Sequence, residues 1–133
     1  MPLLPDHVDD KLLALELEML CDGVCDATVL SLFEKLREGG GGPEWLAWQR
    51  RKIDGGVAQL AKIVGAGPWT VGDRFSLGDI AVGTATAYLS VRFQEMPWRS
   101  MYPDLARFSD QLERRPSFKD TVPYAQKFTD TVV

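Results

Sequence analysis

From Arg74 to Phe93 the chain reads RFSLGDIAVGTATAYLSVRF, and the fold turns on how this stretch is understood. Ser76 and Asp79 precede a run without charge from Ile80 to Val91. With Ser76 as N-cap, its hydroxyl accepts from the Asp79 backbone N–H, and the Asp79 carboxylate accepts from the Ser76 N–H. That is a capping box with Asp in place of the commoner Glu or Gln. Phe75 and Ile80 are spaced to pack on each other as a hydrophobic staple. Ala81, Gly83, Ala85 and Ala87 then let other helices approach closely. The stretch predicts a helix from Ser76 to Arg92 or Phe93, central to the core. A nucleophilic serine needs a general base, and the only histidine, His7, belongs to a different element. The Ser–Asp pair is therefore read as a folding signal, and no catalytic residue is assigned.

Outward from this helix the pattern stays helical. A first helix runs from about Asp6 to Glu38, with Asp6, Asp9 and Asp10 at its positive end. Gly39 to Gly42 stop it, because four glycines lose too much backbone entropy in a helix. Pro43 and Glu44 suit the first turn of a second helix that ends near Val64. Gly55 and Gly56 inside it are unfavourable for helix and point to close packing against a neighbour. A fourth helix spans Pro103 to Arg115, closed by Pro116. A short fifth turn, Ser117 to Val122, precedes a polar tail at 124–133. With no convincing strand, the fold class is all-α: one domain, residues 1–133, built as a bundle of about five helices.

A net charge of −4 and a pI near 4.9 argue against nucleic acid and against a polybasic membrane-surface partner. The basic run Arg50-Arg51-Lys52 reads as a solvated helix face. Ile80 to Val91 falls short of the roughly 20 apolar residues of a membrane span. No secretory signal is visible at the N-terminus. Cys21 and Cys25 lie on one helical face, a spacing unsuited to a disulfide, and free thiols fit a reducing, cytoplasmic setting. His7 is about 21 Å from Cys21 along a continuous helix, so these residues cannot share a metal, and no metal or cofactor is assigned.

On the first helix, Val8, Leu12, Leu15, Met19, Leu30 and Phe33 share a stripe with Asp22 and Asp26. Leu13, Leu17, Leu20 and Val24 form a second stripe nearly opposite. A helix apolar on two faces predicts burial between two layers. Carboxylates in an apolar stripe are costly unless paired or wet. Asp22 and Asp26 either look into a ligand cleft, or pair with Arg92 or Arg51, or mark a watery edge. Trp45, Trp48, Trp69, Trp98, Tyr88 and Phe108 read mainly as packing, with Tyr88 a candidate for the cleft.

The segment WTVGDRFSLGDIAVGTATAYL resembles the capping-box-and-staple segment in the C-terminal helical domain of glutathione S-transferases. YPDLARFSDQLERRPSFKDTVP is similar to that family's closing pattern. PEWLAWQRRKI and ALELEMLCDGVCDATVL resemble the two long helices that open the domain in bacterial members. The resemblance runs from Leu4 to Pro123, with Gly78 standing where the family often has Ala. PLLPDHVDD resembles the interdomain linker, which makes residues 1–5 linker-like. The thioredoxin-like half, with its glutathione site and catalytic residue, is expected to be missing from this chain.

The resemblance implies a domain that builds the electrophile pocket and part of a dimer interface, with Met19, Asp22, Asp26 and Tyr88 as ligand-pocket candidates. An acidic residue on the first helix meets the glutathione amine in some members. Glutathione is implied as co-substrate only if an N-terminal half is supplied, and the chain alone is expected to be inactive. The implied partners are a second copy or a separately encoded thioredoxin-like half. The alternative is a non-enzymatic interaction or assembly module. Self-association through Leu13, Leu17, Leu20 and Val24 is expected under either reading.

Overall fold

The structure is a computed structural model that describes residues 2–127. Six helices follow one another: α1 (Val8–Leu36), α2 (Pro43–Val64), α3 (Leu77–Arg92), α4 (Trp98–Met101), α5 (Pro103–Glu113) and α6 (Pro116–Lys119). No strand occurs among the described residues, and none of these helices is long and apolar enough to cross a membrane. Of the tail predicted at 124–133, residues 128–133 lie outside the described part, as does Met1 of the linker-like start.

The long helix α1 begins with Asp9 and Asp10 and closes with Lys35, charges that complement its dipole. It ends at Leu36, two residues before the predicted Glu38. Beyond it Gly39 and Gly40 take positive φ values of 84° and 79°, which a residue with a Cβ adopts only at a cost. The glycine run is also packed. A Cβ on Gly41 would lie 2.7 Å from both the Cγ and the carbonyl oxygen of Glu34. The Gly42 N–H donates to Glu34 Oε1 at 2.9 Å, so the turn is fastened to the helix it follows.

Helix α1 packs along both α2 and α3, and α5 closes against α2 and α3. The core between them holds Leu17, Ile53, Leu60, Val82, Leu89, Leu105, Phe108 and Leu112, all essentially without solvent exposure. The close approach of α2 to α1 depends on Gly56, where a Cβ would stand 2.3 Å from Val24 Cγ2. Gly55 has open space around its Cα and plays no such part.

Only one of the two stripes on α1 is buried in this chain. Leu17 and Val24 are sealed in the core, and Leu13 and Leu20 pack half-buried against it. Self-association through those four residues is thereby corrected, because α2 and α3 already cover them. The stripe left in solvent is the other one: Val8, Leu12, Leu15, Met19, Leu30 and Phe33 are all exposed.

Two further corrections concern the second half of the chain and the tryptophans. Helix α4 was not foreseen; Pro97 starts it, and it buries Trp98. Pro116 opens α6 instead of merely ending α5, which has already stopped at Glu113. Trp98 and Phe108 are packing residues, whereas Trp45 and Trp48 stand exposed, edge to face with centroids 5.8 Å apart. Arg51 and Lys52 lie on the solvated face, with Lys52 over the Trp48 ring, while Arg50 turns back to Asp54 and the face of Phe93.

Candidate ligand cavity

The N-terminus of α3 is where the loop 65–76 meets the bundle. Ser76 is its N-cap, in the reciprocal geometry of a capping box with Asp79. The Ser76 N–H donates to Asp79 Oδ2 at 2.6 Å, and the Ser76 hydroxyl donates to the same oxygen at 3.0 Å. Asp79 Oδ1 accepts from the Thr70 N–H at 2.8 Å and from the Thr70 hydroxyl at 3.0 Å. The carboxylate is fully buried and surrounded by four donors, which is how a buried charge is tolerated. It has no free lone pair with which to act as a base, and Ser76 has no base of its own. His7, the sole histidine, is an exposed residue beside Asp9.

The network also explains Gly78. A Cβ there would meet Thr70 Oγ1 at 2.8 Å and Leu17 Cδ1 at 2.9 Å. The loop that delivers Thr70 to Asp79 passes where an alanine methyl would stand. Thr70 was not recognised from sequence, since it stands nine positions before its partner, in a loop, and no local motif links them.

The same helix end is tied to the start of the chain, for the Leu77 N–H donates to the Leu3 carbonyl at 2.9 Å. Leu3 and Phe75 thereby reach one end of a cavity of about 980 Å³ that runs along α3. Ile80, Thr84, Ala87, Tyr88 and Val91 form its floor, and Cys25 and Val29 of α1 one wall. Phe118 of α6 and the segment Thr121–Pro123 form the opposite wall. Gly83 lets that wall come close, since a Cβ on it would meet Phe118 Cε1 at 2.5 Å and Leu112 Cδ1 at 2.8 Å. The lining is mainly aliphatic and aromatic, with Ser, Thr and Tyr hydroxyls and one carboxylate, the usual make-up of a small-molecule site.

Of the ligand-pocket candidates, Tyr88 lies in this cavity, and so do Phe75 and Ile80, the staple residues. The Phe75 ring is also held edge-on by Trp69, with centroids 5.8 Å apart. Met19, Asp22 and Asp26 sit on the outward side of α1 and are exposed. The structure thus divides the candidates between two surfaces. Among the described residues neither aspartate joins an ion pair, with Arg51 and Arg92 included. Both stand in solvent.

Cys25 and Val29, the α1 wall, were not foreseen as site residues. Cys25 is no ready nucleophile. Burial, then the charges of Asp22 and Asp26, push its thiol up to about 11 from 9.0. Burial, with Cys25 and Asp22 beside it, pushes Cys21 up to about 12. Both thiols are free, and no group of three or more metal-ligating side chains occurs among the described residues.

A helical layer with a capped central helix and a long apolar cavity beside it has clear counterparts. Residues 27–111 match the family model for the glutathione S-transferase C-terminal domain. Among solved structures, the chain is 61% identical to a glutathione S-transferase from Methylobacterium radiotolerans in complex with glutathione sulfonate. That superposition has a TM-score of 0.95 and covers 99% of this chain and 63% of the other. A glutathione S-transferase from Methylobacillus flagellatus with glutathione bound is 37% identical, with a TM-score of 0.86 over 91% of this chain and 60% of that one. A glutathione transferase family member from Pseudomonas fluorescens, with bound S-(propanoic acid)-glutathione, is 30% identical, at TM-score 0.75, over 94% and 64%. The chain therefore spans a little over three fifths of the length of these proteins. No curated protein matches it. By its family match and its fold, the chain belongs to the glutathione S-transferase family, as that family's C-terminal domain.

Proposed function

We propose that this chain acts as the C-terminal half of a glutathione S-transferase, and that the cavity along α3 is its pocket for an apolar electrophile. The glutathione thiolate and the groups that stabilise it come from a thioredoxin-like half outside these 133 residues. In the reaction the thiolate sulfur bonds to the electrophilic carbon and the leaving group departs with its electron pair. The observation that carries this reading is the cavity itself. At about 980 Å³ it sits at the upper end of the roughly 300–1,000 Å³ typical of small-molecule pockets. Leu3, near the start of the chain, also lines it.

Two finer assignments belong to the same proposal. Asp22 and Asp26, solvated and unpaired on α1, are available to the cationic amine of glutathione. The exposed stripe from Val8 to Phe33 is available to a second copy, since exposed apolar patches of this kind mark interaction sites. That stripe is also what favours the second reading, an assembly module without catalysis.

The test is an assay of glutathione conjugation to an aryl halide. The chain alone is expected to give no turnover. A chimera carrying the thioredoxin-like part of the Methylobacterium radiotolerans enzyme ahead of Pro2 is expected to turn over. Ala87→Trp, which fills the cavity, should raise KM for the aryl halide in that chimera without altering KM for glutathione. A folded but inactive chimera would favour the assembly reading.

A further inference from the structure

The loop between α2 and α3 is held by side chains and not by its own backbone. Among the described residues no backbone–backbone hydrogen bond involves residues 66–75. What fixes the head of this loop comes from α5. Arg107 Nη2 donates to the Gly65 carbonyl at 3.2 Å and to the Gly67 carbonyl at 3.4 Å. Gln111 Nε2 donates to the Pro68 carbonyl at 2.9 Å. Arg107 and Gln111 are i and i+4 on α5 and so share one face of the helix, while another face buries Leu105, Phe108 and Leu112 in the core.

The loop leads directly to the cavity. The Pro68 carbonyl belongs to the peptide plane that also contains the Trp69 N–H and Cα, so the bond from Gln111 fixes where the Trp69 side chain starts. Trp69 meets the Phe75 ring edge-on, with 5.8 Å between centroids, and Phe75 lines the cavity. Thr70, the next residue, is fastened to the buried Asp79. Between the end of α2 and Thr70 the chain has two glycines, Gly65 at a φ of 54° and Gly67, which leave the backbone free to take other conformations. Arg107 and Gln111 remove that freedom, and no other side-chain hydrogen bond among the described residues reaches 65–69.

We propose that Arg107 and Gln111 are positioning residues for the cavity. Neither is among the residues that line it; they act through Trp69, which they hold against the edge of Phe75. With both ties in place the Phe75 wall is set before a ligand arrives, and binding does not have to order it. The proposal rests on reading the cavity as a ligand pocket, and it extends control of that pocket to side chains outside its lining.

The uncharged fluorescent dye phenylnaphthylamine tests it on the chain as it stands, read beside the melting temperature and the Trp69 indole N–H signal of the labelled protein. Arg107→Met with Gln111→Met keeps the apolar stems and removes the donors. The double variant should bind the dye about fivefold more weakly, the worth of one ordinary hydrogen bond, and shift the Trp69 signal. Arg107→Lys, which keeps a donor, should weaken the dye less than Arg107→Met. Arg50→Met, which breaks the tie to Asp54 on α2, should leave dye affinity unchanged even where it lowers the melting temperature. Ala87→Trp should release the dye. A double variant that melts lower but binds the dye as the wild type does, or an equal loss of affinity in Arg50→Met, would overturn the positioning role while leaving the pocket intact. Dye binding unaffected by Ala87→Trp would instead overturn the reading of the cavity as a pocket, and the positioning role with it.

Discussion

Asp79 shows how much one side chain can do when its surroundings are complete. Its two oxygens hold the loop through Thr70 and the helix start through Ser76, joining elements that the backbone alone would leave loose. Ser76→Ala should cost about 1 kcal/mol, the usual worth of an N-cap. Asp79→Ala should cost roughly 3 kcal/mol or more, since it strands buried N–H groups at Thr70 and Ser76. Urea unfolding of the two variants checks this; equal losses would mean that Asp79 acts only as a cap.

The two thiols make a separate prediction. At pH 8 Cys25 should react with iodoacetamide about a hundredfold more slowly than an ordinary thiol, given its rise from 9.0 to about 11. Below pH 9 both cysteines are protonated in the folded and unfolded chain alike, so their contribution to stability is fully present. As pH rises from 9, the unfolded chain loses its thiol protons first. Stability therefore falls until the folded-state values of about 11 and 12 are passed. Rapid alkylation of Cys25 in the folded protein would contradict this account.

Among the elements, the α1–α2 pair separates what sequence reveals from what it hides. Pro43, the glycine run and the acidic first turns mark the helix ends through local chemistry, and those ends appear within a few residues of their predicted places. Which apolar stripe of α1 would be buried was not legible, because both have the same period and similar residues. The choice is made by Val24 fitting over Gly56 and Leu17 lying against Gly78, contacts between residues far apart in the chain. Helix α4 escaped notice for a related reason, its four residues being too few to display a period.

Adjacent glycines on α2 give a matched test. Gly55→Ala should stabilise by up to about 1 kcal/mol through helix propensity. Gly56→Ala should destabilise by about 1–3 kcal/mol, since the added methyl drives α1 off α2. Thermal melts of the pair should move in opposite directions; a shared direction would mean that Val24 is not held where the structure places it. On the outer face of α1, Leu12→Glu with Met19→Lys should abolish any dimer seen by sedimentation while leaving the melting temperature of the monomer within a few degrees, as exposed positions allow. A dimer that survives both changes would use another surface.

For the molecule as a whole, the sequence carried the all-helical architecture and the family, because caps, breakers and the Ser76–Asp79 box are local signals in a fixed order. Of the residues it offered for the cleft, Tyr88 lines the cavity, and Phe75 and Ile80, read only as a staple, line it too. It did not carry Thr70, the Cys25–Val29 wall or the contribution of Thr121–Pro123. Each of those depends on a loop or an irregular segment brought home by tertiary packing. What emerges is a domain with two apolar surfaces, a cavity along α3 and an exposed stripe on α1.

Under the proposed function, the cavity and not the α1 stripe receives a thioredoxin-like half. The direct measurement is a map of amide chemical shifts in the labelled chain as the thioredoxin-like part of the Methylobacterium radiotolerans enzyme is added. The account predicts shifts around the cavity, at Cys25, Val29, Ile80, Thr84 and Tyr88, with Leu12 and Met19 unmoved. Shifts confined to Leu12, Leu15 and Met19, with the cavity silent, would contradict it.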